Sequence, residues 1–228
     1  MIDEPESIDA LNHDQVRKEM IWDIYLSGGN VEWFVRQKDQ SLENFREFEQ
    51  VWRETWFARK FLEENTPFWE MQSTLPNPNS TPTPDDDWTS ADTLIRGEDT
   101  DFGGAEVFFK PGQVYAIYLP DASNDDNPNT MGEFQNNVNG SPELDLRDYA
   151  GLEFTGRWYN PRTGEFVGDP FSLLGGKWAS LGASPDGFQN TNDWALMVQV
   201  VENIPEPMTM ILMLPAGCML LGRHQRPL

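Results

Sequence analysis

A chain of 228 residues with 38 acidic and 16 basic side chains carries a net charge of -22 and a pI near 4.2, so nucleic-acid phosphates and anionic lipid headgroups should repel it. With 38% hydrophobic residues, including 9 Trp and 14 Phe, it is long and apolar enough for one large or two small domains with a real core, which excludes disorder of the whole chain. The one cysteine, Cys218, excludes a disulfide framework, and His13 and His224 share no ligand spacing. Neither a metal nor a cofactor is therefore expected.

The amino terminus, MIDEPESIDALNHD, is acidic and lacks the apolar run of a secretory leader. From Asp14, an N-cap, the spacing of Val16, Met20 and Ile24 predicts a helix that stops at Gly28-Gly29. NVEWFV reads as a short strand. In SLENFREFEQVWRETWFARKFLEEN the spacing of Phe45, Phe48, Trp52 and Trp56 predicts a second helix, its stripe widened by Val51, Phe57 and Phe61. Each buried ring is worth about 2–3 kcal/mol, so this face needs cover. Trp22, Trp33, Trp52 and Trp56 are expected to be core, and residues 1–70 without cover are expected to associate. Pro67 ends the helix, and residues 77–93, rich in Pro, Ser, Thr and Asp, read as a linker.

Beyond the linker the period becomes two. AEVFFK, QVYAIYLP, ELDL, GLEFTGRWYN, GEFVGD and DWALMVQVV are short β-rich runs between turn residues, the pattern of an antiparallel sandwich over residues 94–202. In the last run Trp194, Leu196, Val198 and Val200 share one face, while Met197 and Val201 make the other less polar than a fully wet one. Asn160 to Gly164 is a hairpin connection, with Pro161 and Gly164 supplying its special backbone angles. Alternation puts one of Trp158 and Tyr159 inward and the other outward, and these two with Arg162 are the candidate ligand-binding residues. Asp121, Ser123, Asp125, Asn127 and Asn129 alternate as in a calcium loop, but Asp126 replaces the glycine and no Glu closes the loop. The motif is broken, and the loop reads as acidic surface.

Residues 203–228 differ from all that precedes them. Pro205-Glu206-Pro207 is followed by an apolar stretch from Met208 to Gly222 and then by Arg223 and Arg226. As a helix this stretch falls short of the roughly 30 Å hydrocarbon core, and Pro215 and Gly217 weaken it further. A transient insertion, with the arginines left on the cytoplasmic side, suits it better than a lasting anchor.

Two resemblances arise from these residues. RWYNPRTGEF, preceded by PGQVYAIYLP and followed by DWALMVQV, resembles the collagen-binding domain family found at the C-terminus of bacterial collagenase-like and glycosidase-like proteins. DEPESIDALNHDQVRKEMIWDIYLSGGNVEWF, with the aromatic helix and PFWEM, is similar to the closing part of an apiosidase-related (β/α)8 glycoside-hydrolase-like domain. The implied fold class is α+β: a barrel remnant of two helices over residues 1–76, the linker, a small antiparallel β-sandwich and a short C-terminal apolar helix. The second resemblance puts Asp3 and Glu4 at the C-terminal end of barrel strand seven, where barrel enzymes keep catalytic groups. A glycosidase needs two carboxylates about 5 to 9.5 Å apart. Glu4 is therefore a catalytic candidate only in a complete barrel.

The tail resembles the PEP-CTERM sorting signal, carried by Pro205, Glu206, Pro207, Arg223 and Arg226. That implies an exosortase-type processing partner, transient membrane contact and a place in the envelope or extracellular matrix of a Gram-negative-type bacterium. A sorting signal without a leader, behind a barrel lacking about six strands, leads us to expect the C-terminal part of a larger secreted protein. The leading expectation is a non-catalytic envelope module that binds an extracellular polymer, collagen-like by family label or a polysaccharide. The alternative is the C-terminal portion of a glycoside hydrolase whose catalytic half lies upstream, with the sandwich as buttress.

Overall fold

The segment Val114–Leu119 reads VYAIYL, and all six of its residues are buried. A strand without a polar side needs cover on both faces. The computed structural model provides that cover in three layers, and it describes residues 6–8, 13–35, 45–74, 94–97, 104–123 and 141–201. In chain order the strands are β1 (Glu6–Ile8), β2 (Trp33–Val35), β3 (Gln72–Ser73), β4 (Ile95–Arg96), β5 (Glu106–Lys110), β6 (Val114–Leu119), β7 (Glu143–Asp145), β8 (Glu153–Asn160), β9 (Glu165–Leu174), β10 (Trp178–Ser180) and β11 (Trp194–Val200). Helix α1 runs through His13–Val16, a π-helical turn at Arg17–Ile21 and Trp22–Leu26; α2 is Glu49–Asn65.

The middle layer is a six-stranded antiparallel sheet in the order β3-β5-β6-β11-β8-β9. One of its faces meets the three-stranded antiparallel sheet β10-β7-β4. Tyr115, Ile117, Trp158, Trp194, Leu196 and Val198 fill that interior together with Ile95, Leu144 and Ala179. The opposite face carries Phe108, Ala116, Tyr118, Tyr159, Ala195 and Met197, and the helices lie on it through Ile21, Trp22, Leu26, Val51, Phe61 and Leu62. The class is therefore α+β with antiparallel sheets.

Strand β1 pairs with β2 in parallel, Glu6 opposite Trp33 and Ile8 opposite Val35. With α1 between them they form one β-α-β unit, the repeating element of α/β folds. No barrel closes among the described residues. The linker at 77–93 lies outside those residues, as does the C-terminal apolar helix expected within 203–228. No helix among the described residues is long and apolar enough to cross a membrane.

Both helices bury part of the predicted stripe, Val16 in α1, Phe48 just before α2, and Val51 and Phe61 along it, but each is rotated from the expected face. Along α1 the buried residues are Val16, Arg17, Ile21, Trp22 and Leu26, whereas Met20 and Ile24 are only half-buried. The π-helical turn widens the step between successive buried pairs, so an arginine joins an otherwise apolar stripe. Along α2 the buried residues are Val51, Glu54, Ala58, Phe61 and Leu62. Trp52 and Trp56 are instead 36% and 51% exposed. Ala58 faces the sheet where a tryptophan would hold the helix away from it, and the Tyr159 hydroxyl donates to the Phe57 carbonyl at 2.9 Å. The cover for the aromatic helix is thus the sandwich's own outer face. Trp22 illustrates the contact, stacking on Tyr118 at 4.9 Å and 5°.

The hairpin after β8 is pinned to the helix layer as well. Gly164 donates its N–H to the Asn160 carbonyl at 2.8 Å and has φ of +76°, and a Cβ there would stand 2.2 Å from the Phe57 ring. Gly168 has a similar φ of +75° but open space around it. Both alanine substitutions incur backbone strain of about 1–3 kcal/mol, and only Gly164→Ala adds the clash. We expect Gly164→Ala to lower the denaturant midpoint clearly more than Gly168→Ala; equal losses would mean that the hairpin does not rest on α2.

Candidate functional site

The joint between helices and sheet is a buried cluster of charges. Arg17, in the π-helical turn, is 2% exposed; Asp193, just before β11, is 0% exposed. The guanidinium grips Asp193 with both arms, Nε to Oδ2 at 2.8 Å and Nη2 to Oδ1 at 3.0 Å. Its Nη1 donates to Glu54 Oε1 of α2 and to Asp14 Oδ1, each at 2.8 Å. From the β8–β9 turn, Arg162 Nη1 donates to Asp193 Oδ1 at 2.9 Å and to the Asp193 carbonyl at 2.6 Å. The Tyr118 hydroxyl of β6 completes the shell on Oδ2 at 2.8 Å.

These contacts decide the protonation states. Burial alone would push the Asp193 carboxyl up, but the bonds and charge of Arg17, with Arg162 and Tyr118, hold it below the usual aspartate range. Glu54 goes the other way: desolvation raises it, and the Arg17 charge and the bond from Gln50 offset only part of the rise. Its second oxygen, Oε2, has no hydrogen-bond partner among the described residues. Burial also carries the Tyr118 phenol well above its ordinary value, with the Asp193 charge adding to the rise. Each Asp193 oxygen already accepts two hydrogen bonds, and no surface leads to it. The cluster is therefore built to hold elements together, not to exchange protons with a substrate.

The residues expected to bind ligand face inward. Trp158 is 7% exposed in the interior between the sheets, edge-on to Trp194 at 6.4 Å. Tyr159 is 2% exposed on the other face, among the helices. Alternation does send them to opposite faces, but both faces are covered. Arg162 is occupied by Asp193 and Asp186. Trp33 is half-buried, its ring N–H donating to the Thr55 hydroxyl at 3.0 Å. Glu4, Asp3, Pro205, Glu206, Pro207, Arg223 and Arg226 lie outside the described residues, as do the calcium-like positions Asp125, Asn127 and Asn129. At Asp121 and Ser123 the carboxylate accepts the Ser123 N–H at 2.8 Å, an ordinary turn contact. No group of acidic, histidine or cysteine side chains among the described residues is arranged to hold a metal ion.

A cleft of about 560 Å³ opens between the loop after α1, the C-terminal half of α2 and the turn Phe68–Glu70. Sequence reading gave Arg17, Glu54 and Asp193 no role, because a helix interior and a turn flank are where charges usually meet solvent. It also missed Trp69 of PFWEM, which lines the cleft and is 70% exposed.

No family model matches the chain, and no curated protein matches it significantly. Among solved structures it is similar to a protein described as a glycoside hydrolase, at 11% identity and a TM-score of 0.50, over 82% of this chain and 36% of that one. A family 5 glycoside hydrolase from Bacteroides vulgatus ATCC 8482 aligns at 15% identity and a TM-score of 0.39, over 66% of this chain and 24% of that one. The fold is thus similar to that of part of the first of these proteins, and the chain spans 36% and 24% of their respective lengths.

The cluster makes two testable statements about stability. Arg17→Met strands Glu54 without its cation and leaves Asp193 with Arg162 alone, and we expect a loss of about 3–5 kcal/mol in urea denaturation, which Arg17→Lys does not restore because it cannot grip bidentately. The pH dependence has two limbs. Asp193, lowered on folding, contributes fully above the unfolded value of about 3.9 and less as pH falls through its folded value. Glu54, raised on folding, takes its proton first in the native state, so stability rises as pH falls from neutral toward the unfolded value of about 4.3. Denaturation from pH 8 to 3 should therefore show a mildly acidic maximum, and Glu54→Gln should flatten its neutral side.

Proposed function

We propose that this chain is the C-terminal portion of a secreted glycoside-hydrolase-type protein, in which the N-terminal helices complete a barrel encoded mostly upstream and the sandwich, tied to them, is its rigid non-catalytic buttress. The observation that carries this reading is the Arg17–Asp193 tie, which fixes the helix layer to the sheet across a sequence separation of 176. A module that hunts for polymer on a tether has no need of such a joint. The inward burial of Trp158 and Tyr159 also favours a buttress over the expected polymer-binding face. The β1–β2 parallel pair with α1 fits the last turn of a (β/α)8 barrel, and the partial likeness to a larger glycoside hydrolase supports the same assignment.

On this reading the sequence resemblance offers Glu4 as one of two carboxylates of the assembled enzyme, with its partner from the upstream domain; the parallel pair gives that role no added support, because β1 begins after Glu4, at Glu6, and barrel enzymes keep their catalytic groups at C-terminal strand ends. Residues 203–228 would deliver the protein to the envelope as a PEP-CTERM-type signal acted on by an exosortase, with its apolar stretch in the membrane only in passage. The test is to isolate the native product with an antibody against the sandwich, record its mass and assay it on aryl glycosides and plant and bacterial polysaccharides. We expect a product well above 26.1 kDa that hydrolyses at least one substrate and is inactivated by Glu4→Gln, whereas the 228-residue chain alone is inert. Hydrolysis by the chain alone, or an inactive native product of its own mass, would refute the proposal.

A further inference from the structure

We infer that the cleft beside Trp69 binds a neutral oligosaccharide, making it an accessory glycan site on the buttress. Its shape comes from three breaks in regular structure: the Gly28-Gly29 turn that ends α1, the end of α2, and the 3-10 turn Phe68–Glu70. Its volume of about 560 Å³ lies in the range of specific small-ligand sites, roughly 300–1,000 Å³. The floor is apolar, with Leu62 and Phe108 both 6% exposed. At the rim Trp69 is 70% exposed and Phe68 39% exposed.

A tryptophan left this open next to a cleft gives up apolar burial that the core could have supplied. Its indole meets Phe68 edge to face, with centroids 5.3 Å apart and planes at 79°. The pair therefore offers one broad ring face and not a row of parallel rings. A broad aromatic face suits the C–H side of a single pyranose. A polyproline-type strand, by contrast, is gripped between successive rings along a groove.

The polar lining selects charge and class. The cleft holds one cation and one anion, Arg59 and Glu63, and they bond to each other through Nε and Oε1 at 2.6 Å. Beside it, Glu70 is paired with Lys110. These charges are paired with one another, so the cleft presents no unpaired cation or anion of its own to fix an ionic ligand. What remains is planar and polar: Asn30 and Gln72 offer amides and Tyr25 a hydroxyl. Amide, guanidinium and phenol groups around an aromatic face match the hydroxyls and C–H faces of a neutral sugar. The choice of sugar as ligand agrees with the buttress proposal but does not rest on it, since the lining chemistry alone selects a neutral polyhydroxylated molecule.

The experiment uses the full 228-residue chain in isothermal titration with hexasaccharides of xylose, glucose, mannose, galactose and arabinose, and with a collagen-model peptide. We expect at least one hexasaccharide to bind, with a change in tryptophan fluorescence. Trp69→Ala should weaken that binding about tenfold or more, the loss of one stacked ring, without moving the thermal midpoint. Trp56→Ala, an exposed tryptophan on α2 away from the cleft, should leave binding unchanged. Absence of binding to every saccharide overturns the inference. So does binding that Trp69→Ala leaves intact, or binding of the peptide alone. The measurement reads binding by a chain expected to be inert in hydrolysis, so its failure is distinct from failure of the buttress reading.

Discussion

The rest of the structure depends on one buried carboxylate. Asp193 gathers Arg17 from the first helix, Arg162 from a hairpin turn and Tyr118 from the central sheet. Arg17 then carries the connection on to Glu54 of the second helix. Two guanidiniums meet two buried carboxylates, Asp193 and Glu54, with the more exposed Asp14 and Asp186 at the margins, and the cluster buries charge only because almost every lone pair is matched. Such a cluster adds little net stability over an apolar plug. It does exclude alternatives: an apolar helix face can slide or rotate on an apolar sheet, whereas a bidentate pair aligned with a phenol cannot.

That constraint explains the orientation of both helices. The π-helical turn in α1 lets Arg17 reach inward while Ile21, Trp22 and Leu26 keep their apolar contacts. It also sets the rotation of α2. Glu54 must face Arg17, which brings Val51, Ala58 and Phe61 to the sheet and swings Trp52 and Trp56 outward. Apolar content taken alone favours a face that also includes Trp52 and Trp56, so the ion pair and the small side chain of Ala58 together outweigh two exposed tryptophans.

What could be read from the sequence follows the same division. Helix and strand positions were legible because periodicity reports them: the strands of the sandwich, the aromatic helix and the Asn160–Gly164 hairpin lie where the pattern puts them. A hint of the layer order was legible too. The apolar run of β6 and the weakly polar second face of β11 require two-sided cover, and that cover turned out to be the very helices whose aromatic stripe lacked a partner. The facing of the helices was not legible, because it is set by contacts between positions 17, 54 and 193, and a charged residue at each of them reads locally as solvent-exposed. Trp158 and Tyr159 looked like ligand contacts for a related reason. Alternation decides only the side of the sheet to which a ring points, and tertiary packing decides whether that side is open.

The division between closed and open aromatics bears directly on function. Most large rings here are spent on the two interfaces of the central sheet, where they are locked by neighbours such as Trp22 on Tyr118 and Trp158 against Trp194. A ring held in that way contributes rigidity and cannot also meet a polymer. Trp69 is spent on neither interface. It sits on a short turn between the end of α2 and the edge strand β3, so its backbone is fixed by two rigid elements while its indole stays in water. Rigid backbone under an exposed ring lowers the entropy that binding must overcome, which is the physical reason to look for recognition at this turn and not at the buried pair in β8.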